Sequence, residues 1–160
     1  MNRAGWVRPH TGLDAILRLA TAAALVIDAV IHFQLAANYQ LAAPAGIGQG
    51  NLFRIESVVA LAVALFLLLR GGRLAYGAAF LVAASALGAV LLYRYVDVPA
   101  IGPIPSMYEP VWFAKKSATA WAEAAGTVTA ALGLAGTVWH GRRTPDVVGS
   151  PTVTGEPIGL

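Results

Sequence analysis

Five of the ionisable side chains within the apolar segments of this 160-residue sequence lie where they could together bind or move charge. Asp28 and His32 are four residues apart, so a helix presents both of them on one face. Glu56, Arg94 and Glu123 each interrupt a different apolar segment. An ionisable group at the centre of a membrane span costs roughly 2.5–3.5 kcal/mol, and such groups usually face the interior of the bundle and find partners there. The spacing therefore predicts one polar ligand pocket formed by all five side chains.

Three kinds of chemistry fit this set of residues. In the first, Arg94 and Arg54 neutralise the carboxylates in a structural ion-pair network that fixes the register of the helices. In the second, one imidazole and three carboxylates bind a polar ligand or a metal ion, because this donor set suits Zn, Mn, Fe or Cu(II). In the third, the acidic groups and the imidazole move protons or ions. The candidate metal ligands are Asp28, His32, Glu56 and Glu123.

The leading interpretation is a non-enzymatic accessory or ligand-binding subunit, and no catalytic residue is predicted. The alternatives are a redox enzyme or subunit that uses a metal, haem or quinone in the same pocket, and a protein that translocates protons or ions. A metal ion is favoured over haem, because His10 and His140 lie at the opposite membrane boundary from His32. A second axial ligand would have to come from Met107 or from the His32 of a second copy in a dimer. The serines show no helical spacing with histidine and carboxylate, which argues against a nucleophilic hydrolase.

The composition requires lipid around most of the chain. Of the residues, 58% are hydrophobic and only 12% are charged, against about 25% charged in ordinary soluble domains. The mean hydropathy is +0.66. The absence of cysteine excludes disulfides, iron–sulfur clusters and thiol redox chemistry. The basic residues are scattered at the ends of apolar segments rather than clustered, so the net charge of +3 does not indicate a nucleic-acid partner.

Four segments are apolar and long enough to cross a bilayer, which takes about 20 residues. They are predicted at 13–37, 52–70, 73–96 and 117–140, and the Arg70-Gly-Gly-Arg73 stretch predicts a tight turn between the second and third. The first span is too long for a signal peptide and is expected to be retained. The predicted fold is an all-α integral membrane four-helix bundle over 13–140, with a cytoplasmic segment 1–12 and a disordered cytoplasmic tail 141–160.

The distribution of basic residues predicts the orientation of the bundle. Seven of them fall on one side and four on the other, so both termini are expected in the cytoplasm of a multi-pass plasma-membrane protein. The pocket then lies in the outer half, beneath loops at 38–51 and 97–116. The second loop predicts a lid made of Tyr108, Glu109 and Trp112. Small residues in the third and fourth spans favour packing within the chain, with a homodimer or a larger membrane complex as the alternative.

The segment IHFQLAANYQLAAPAGIGQGNLFRIESVVALAVALFLLL resembles a group of small four-span membrane proteins of actinobacteria. The positions that carry the resemblance are His32, Tyr39, Ile47-Gly48, Leu52-Phe53 and, in the fourth span, Glu123. The layout is also distantly similar to the DoxX-like membrane proteins, whose second span holds an acidic residue that Glu56 matches. The resemblance implies a four-helix membrane bundle and no established activity. The thiol redox role known in parts of the wider group does not transfer to a chain without cysteine.

The predicted orientation can be tested directly, because the natural chain has no cysteine to interfere. A cysteine replacing Gln40 should react with a membrane-impermeant maleimide added to intact cells, and a cysteine replacing Gly72 should not react until the cells are opened. The reverse pattern of labelling would overturn the orientation.

Overall fold

The computed structural model describes residues 12–141, and this part of the chain folds into four α-helices. They are α1 (Gly12–Ala42), α2 (Gln49–Arg70), α3 (Gly72–Tyr95) and α4 (Ala114–Gly141). The all-α prediction is therefore confirmed. The predicted N-terminal segment and C-terminal tail lie, apart from their residues at 12 and 141, outside the described residues.

Three of these helices are long and apolar enough to cross a membrane. The most apolar stretches of α1, α2 and α3 have mean hydropathies of 1.8, 2.3 and 2.0. Their outward faces carry large exposed apolar side chains such as Phe33, Leu69, Leu74 and Leu81. Soluble monomeric proteins rarely expose large apolar patches to water. The lengths and compositions of these helices are those of a membrane protein. α4 is 28 residues long but richer in small residues and less apolar.

Small side chains form most of the core. α1 packs against α2 and α4, α3 packs against α4 and α2, and α1 and α3 meet only narrowly across the bundle. The buried cluster consists mainly of alanines with Leu25, Leu67 and Tyr76. Small residues let helix backbones approach closely, which is how apolar helices gain packing energy in lipid. The helices therefore sit near enough for short polar side chains on different helices to meet.

Only some of the small residues in the predicted third and fourth spans pack against other helices of the same chain. Gly126 lies against Ala24 and Ala83, and Gly133 lies directly against the ring of the fully buried Tyr76. In contrast, a side chain at Gly77 would meet nothing within 4 Å. The packing role is thus observed in α4, and the homodimer or larger complex stays a prediction.

Arg18 ties three helices together at the end of the bundle that holds Gly71, here called the turn end. The buried guanidinium donates to the carbonyl oxygens of Leu67 at 2.9 Å and Leu68 at 2.6 Å. These carbonyls lie in the last turn of α2, where the Leu67 carbonyl also accepts from the Gly71 N–H at 3.0 Å, and a buried cation stabilises this carbonyl end of the helix. The Tyr76 hydroxyl donates at 3.0 Å to Asp14, whose carboxylate lies 3.8 Å from Arg18. The predicted tight turn is confirmed, since Gly71 and Gly72 have φ of +58° and +77°.

The opposite end, here called the loop end, holds the connections 43–48 and 96–113. Helix α1 runs on to Ala42 and α2 already begins at Gln49, so the predicted loop 38–51 is wrong at both ends. The reason is local hydrogen bonding: the Gln40 side chain accepts from the Asn51 backbone N–H at 3.0 Å, which brings the last turn of α1 against the first turn of α2. The two connections also meet, because the Ile47 N–H donates to the Pro103 carbonyl at 2.8 Å.

Replacing Gly133 by alanine should destabilise the protein by about 1–3 kcal/mol, the usual range for overpacking a core. The added methyl group would overlap the Tyr76 ring, which is fully buried. Gly77→Ala is the matched control, since its methyl group enters open space and alanine favours the helix by roughly 0.8–1.0 kcal/mol. Thermal unfolding in mild detergent measures both. Equal melting temperatures for the two variants would contradict the packing argument.

Candidate functional site

The site is built first on α1, where Asp28 and His32 occupy one face as their spacing predicts. The His32 Nδ1 atom lies 2.9 Å from Asp28 Oδ1. Both residues are buried, with exposed fractions of 2% and 7%. The edge of the Phe53 ring contacts the imidazole at a centroid distance of 4.7 Å and an interplanar angle of 84°, which restrains the ring orientation.

Helices α2 and α4 add one carboxylate each to this pair. Glu56 Oε2 lies 3.3 Å from His32 Nδ1. Glu123 comes from α4, is only 2% exposed, and joins Asp28 and His32 in a group whose ligand atoms all lie within 4.8 Å of one another. The structure therefore brings together four of the five residues predicted for the pocket. We call Asp28, His32, Glu56 and Glu123 the carboxylate–histidine cluster.

Hydrogen bonds from neighbouring hydroxyl side chains to backbone carbonyls support the helices that carry the cluster. The Ser57 hydroxyl lies 2.9 Å from the Ala29 carbonyl of α1 and 2.8 Å from the Phe53 carbonyl of its own helix. Because Ser57 follows Glu56, this contact docks the turn of α2 that carries Glu56 onto α1. The Thr127 hydroxyl donates to the Glu123 carbonyl at 2.7 Å. All four residues of the cluster thus belong to helices rather than to loops, which gives their side chains defined positions.

The cluster contains more negative charge than the described residues neutralise. Asp28 Oδ1 and Glu56 Oε2 face the single nitrogen His32 Nδ1, whereas Glu56 Oε1 and both carboxylate oxygens of Glu123 are buried without any hydrogen-bond partner within residues 12–141. The ion pairs found among those residues give the cluster only His32 as a cationic partner. Ionised buried carboxylates without compensating charge or hydrogen bonds are strongly unfavourable, so this site needs either protons on its carboxyl groups or a further positive group.

Arg94, the fifth predicted pocket residue, forms no ion pair with these carboxylates within the described part of the chain. Its guanidinium lies over the rings of Tyr95 at 5.1 Å and Trp112 at 5.7 Å. Arg94 occupies the last turn of α3, where a long cationic side chain extends towards the helix end and the aromatic groups there. Arg54 instead donates to the Asn51 side chain at 2.6 Å. Neither arginine therefore supplies the neutralisation that the ion-pair interpretation requires.

An apolar cavity of about 180 Å³ leads to the cluster from the loop end. His32 and Glu56 line the cavity and are also members of the cluster, so these two side chains connect the cavity with the cluster. Phe53 and Phe113 are among the apolar groups of its walls, and Met107 also lines it. A small ligand can therefore reach the carboxylates without unfolding a helix. The other lining residues include Leu35, Leu52, Ala86, Ala89, Val90 and Thr119.

Glu109 is the member of the predicted lid that lines this cavity. Its carboxylate accepts a hydrogen bond from the Tyr39 hydroxyl, its carbonyl accepts one from the Lys116 ammonium, and its N–H donates to the Tyr93 carbonyl at 3.0 Å. These contacts fasten the 96–113 connection to α1, α3 and α4. Tyr108 and Trp112 are not among the lining residues and are partly exposed.

Sequence reasoning missed Tyr39, Phe53 and Lys116 as site residues. The rings of Tyr39 and Phe53 contact each other beside the cavity, with a centroid distance of 4.9 Å and an interplanar angle of 51°. The signal that could have identified Tyr39 was its position two turns after His32, because i, i+3 and i+4 spacings accumulate along one face of a helix. The pairing of Tyr39 with Glu109, 70 positions later, had no signal in the sequence.

No family model matches this chain, and no curated protein or solved structure matches it either. The resemblance to the actinobacterial four-span group and to DoxX-like proteins therefore stays a prediction.

Replacing Tyr39 by phenylalanine should loosen the connection at the loop end while leaving the helices intact. The variant loses the hydroxyl that donates to Glu109, and a hydrogen bond of this kind contributes about 1 kcal/mol to stability. We expect faster amide hydrogen exchange in 96–113 and unchanged exchange in α2. Tyr108→Phe is the matched control, since Tyr108 is half exposed and lies outside the cavity. Unchanged exchange in Tyr39→Phe would show that the hydrogen bond from Tyr39 to Glu109 does not fasten this connection.

Proposed function

We propose that this chain is a four-span integral protein of the plasma membrane with both termini in the cytoplasm. The fourth span is α4, whose 28 residues extend about 42 Å at 1.5 Å per residue, more than the roughly 30 Å of the hydrocarbon core. Its outward face carries exposed Trp121, Leu132 and Trp139, and its inward face carries Glu123. The excess of arginines near the turn end and the termini supports the orientation.

Within this bundle we propose a non-enzymatic function, the binding of a positively charged ligand at the carboxylate–histidine cluster. The observation that carries the proposal is the set of buried carboxylate oxygens without hydrogen-bonding partners within 12–141. Three carboxylates bring a formal charge of −3 when ionised, and a protonated His32 returns only one positive charge. A bound cation removes this imbalance, because Coulomb attraction is strong where the effective dielectric constant is low.

Two alternatives receive less support from the same geometry. A purely structural ion-pair network needs Arg94 or Arg54 at the carboxylates, and neither reaches them. Translocation needs a polar path to both ends of the bundle. Between the cluster and the turn end, the described interior consists mainly of alanine and leucine with one Thr21–Thr129 hydrogen bond of 2.8 Å. A site that is reached from the loop end and is separated from the turn end by an apolar interior favours ligand binding over transport.

A cation-dependent thermal shift tests the proposal. We expect the purified protein in mild detergent to be stabilised by at least one member of a panel containing Mg²⁺, Ca²⁺, Mn²⁺, Zn²⁺ and methylammonium. Ligand at about 100 times its dissociation constant should add about 2.7 kcal/mol. Glu123→Gln should abolish the shift, and without cation it should be at least as stable as the native chain because it removes a buried charge.

Asp97→Asn is the matched control, because Asp97 is an exposed carboxylate beyond the end of α3. It should keep the native response to every cation in the panel. Ligand binding would be contradicted if no cation stabilised the native protein and Glu123→Gln lowered its stability. The cluster would then be stabilised by protonated carboxyl groups that hydrogen bond to one another.

A further inference from the structure

We infer that the ligand of this site is a divalent first-row transition-metal ion, bound by Asp28, His32 and Glu123 with Glu56 as a fourth ligand. The inference rests on the proposed function and specifies the class of cation. It starts from the donor set, which combines one imidazole with three carboxylates from three helices.

The spacing of the donors approaches that of ligands around one small ion. Ligands about 2.1 Å from a metal lie roughly 3.0 Å apart when adjacent at right angles and about 4.2 Å apart when opposite. The distances from His32 Nδ1 are 2.9 Å to Asp28 Oδ1 and 3.3 Å to Glu56 Oε2. The ligand atoms of Asp28, His32 and Glu123 all fall within 4.8 Å of one another. Because this limit exceeds about 4.2 Å and Glu56 lies outside the group of three, side-chain rotations on binding would have to draw the four donors together.

Glu123 gives independent support for a ligand at this point. It is 98% buried, its two carboxylate oxygens accept no hydrogen bond from the residues within 12–141, and it faces Asp28 and His32 rather than a basic side chain. An ionised carboxylate buried in this way is unfavourable unless a cation binds it. The burial of Glu123 without a partner therefore supports a bound cation more strongly than the mere presence of neighbouring acidic residues would.

The imidazole determines the class of ion. Mg²⁺ and Ca²⁺ prefer ligand shells made of oxygen, whereas imidazole together with carboxylate suits Mn²⁺, Fe²⁺ and Zn²⁺. The chain has no cysteine, so it lacks the soft thiolate that Cu(I) prefers. An organic ammonium ion would need only carboxylate oxygens and would leave the position of His32 unused.

The cavity leaves one side of the ion accessible. His32 and Glu56 line the cavity, while Asp28 and Glu123 lie behind them and are absent from its lining. A metal held among the four would therefore keep coordination positions directed into the cavity for water or a small exogenous donor, as in metal sites that bind a further ligand.

Metal binding can be measured without knowing any further ligand. The full chain is purified in detergent, stripped with EDTA and titrated with Mn²⁺, with free Mn²⁺ followed by electron paramagnetic resonance, and Co²⁺ is added separately to record its visible absorption. We expect one Mn²⁺ per chain and a Co²⁺ spectrum that includes nitrogen ligation. Glu123→Gln and His32→Ala should weaken Mn²⁺ binding by more than about 100-fold, since even outer-shell changes commonly weaken it 10- to 100-fold. Asp97→Asn should bind as the native chain does.

The possible results separate this inference from the function on which it rests. Methylammonium binding without Mn²⁺, Co²⁺ or Zn²⁺ binding would overturn the metal assignment and leave the cation-binding function standing. Failure of both kinds of cation to bind would overturn both. Mn²⁺ binding that Glu123→Gln leaves within about threefold of native would place the metal elsewhere and overturn this site. Because Glu123→Gln keeps the size of the side chain, it decides the matter even if His32→Ala fails to fold.

Discussion

The desolvation of three carboxylates inside an apolar bundle is the constraint on which the rest of this structure depends. Moving an ionised carboxylate out of water is unfavourable by several kcal/mol even after the protein relaxes. Asp28 and Glu123 are almost fully buried, and the nearest described cation is the imidazole of His32. A chain that places these groups on three helices must either keep protons on them or provide a partner, and the cavity beside them gives such a partner access.

The small-residue core makes this arrangement geometrically possible. Carboxylate side chains are short, so groups on α1, α2 and α4 can share one ion only if the helix backbones are close. Ala29, Ala60 and Gly126 bring the backbones together near the cluster, and Ser57 hydrogen bonds across the contact between α1 and α2. Larger core residues would separate the helices and leave each carboxylate alone in an apolar environment, where it is most unfavourable.

The two ends of the bundle differ in how they are held. At the turn end, Arg18 donates hydrogen bonds to the terminal carbonyls of α2. The interior between Arg18 and the cluster consists mainly of alanine and leucine. At the loop end, Glu109 joins the 96–113 connection to Tyr39, Tyr93 and Lys116 through single hydrogen bonds. The connection that covers the loop end is therefore held less firmly than the helices at the turn end. The cavity lies at the loop end. Access to the cluster is consistent with opening of that connection.

The sequence by itself determined the all-helical class, the approximate position of each helix and the turn at Gly71, because apolar length and glycine conformation are local properties. It also placed Asp28 and His32 on one face, since that relation follows from helical periodicity alone. Only the tertiary structure decided that Glu56 and Glu123 meet this pair, that Arg94 stacks on Trp112 instead, and that Tyr39 reaches Glu109. Those outcomes depend on how each helix rotates about its axis, and the rotation is set by many weak contacts between small residues distant in sequence, such as Gly133 against Tyr76.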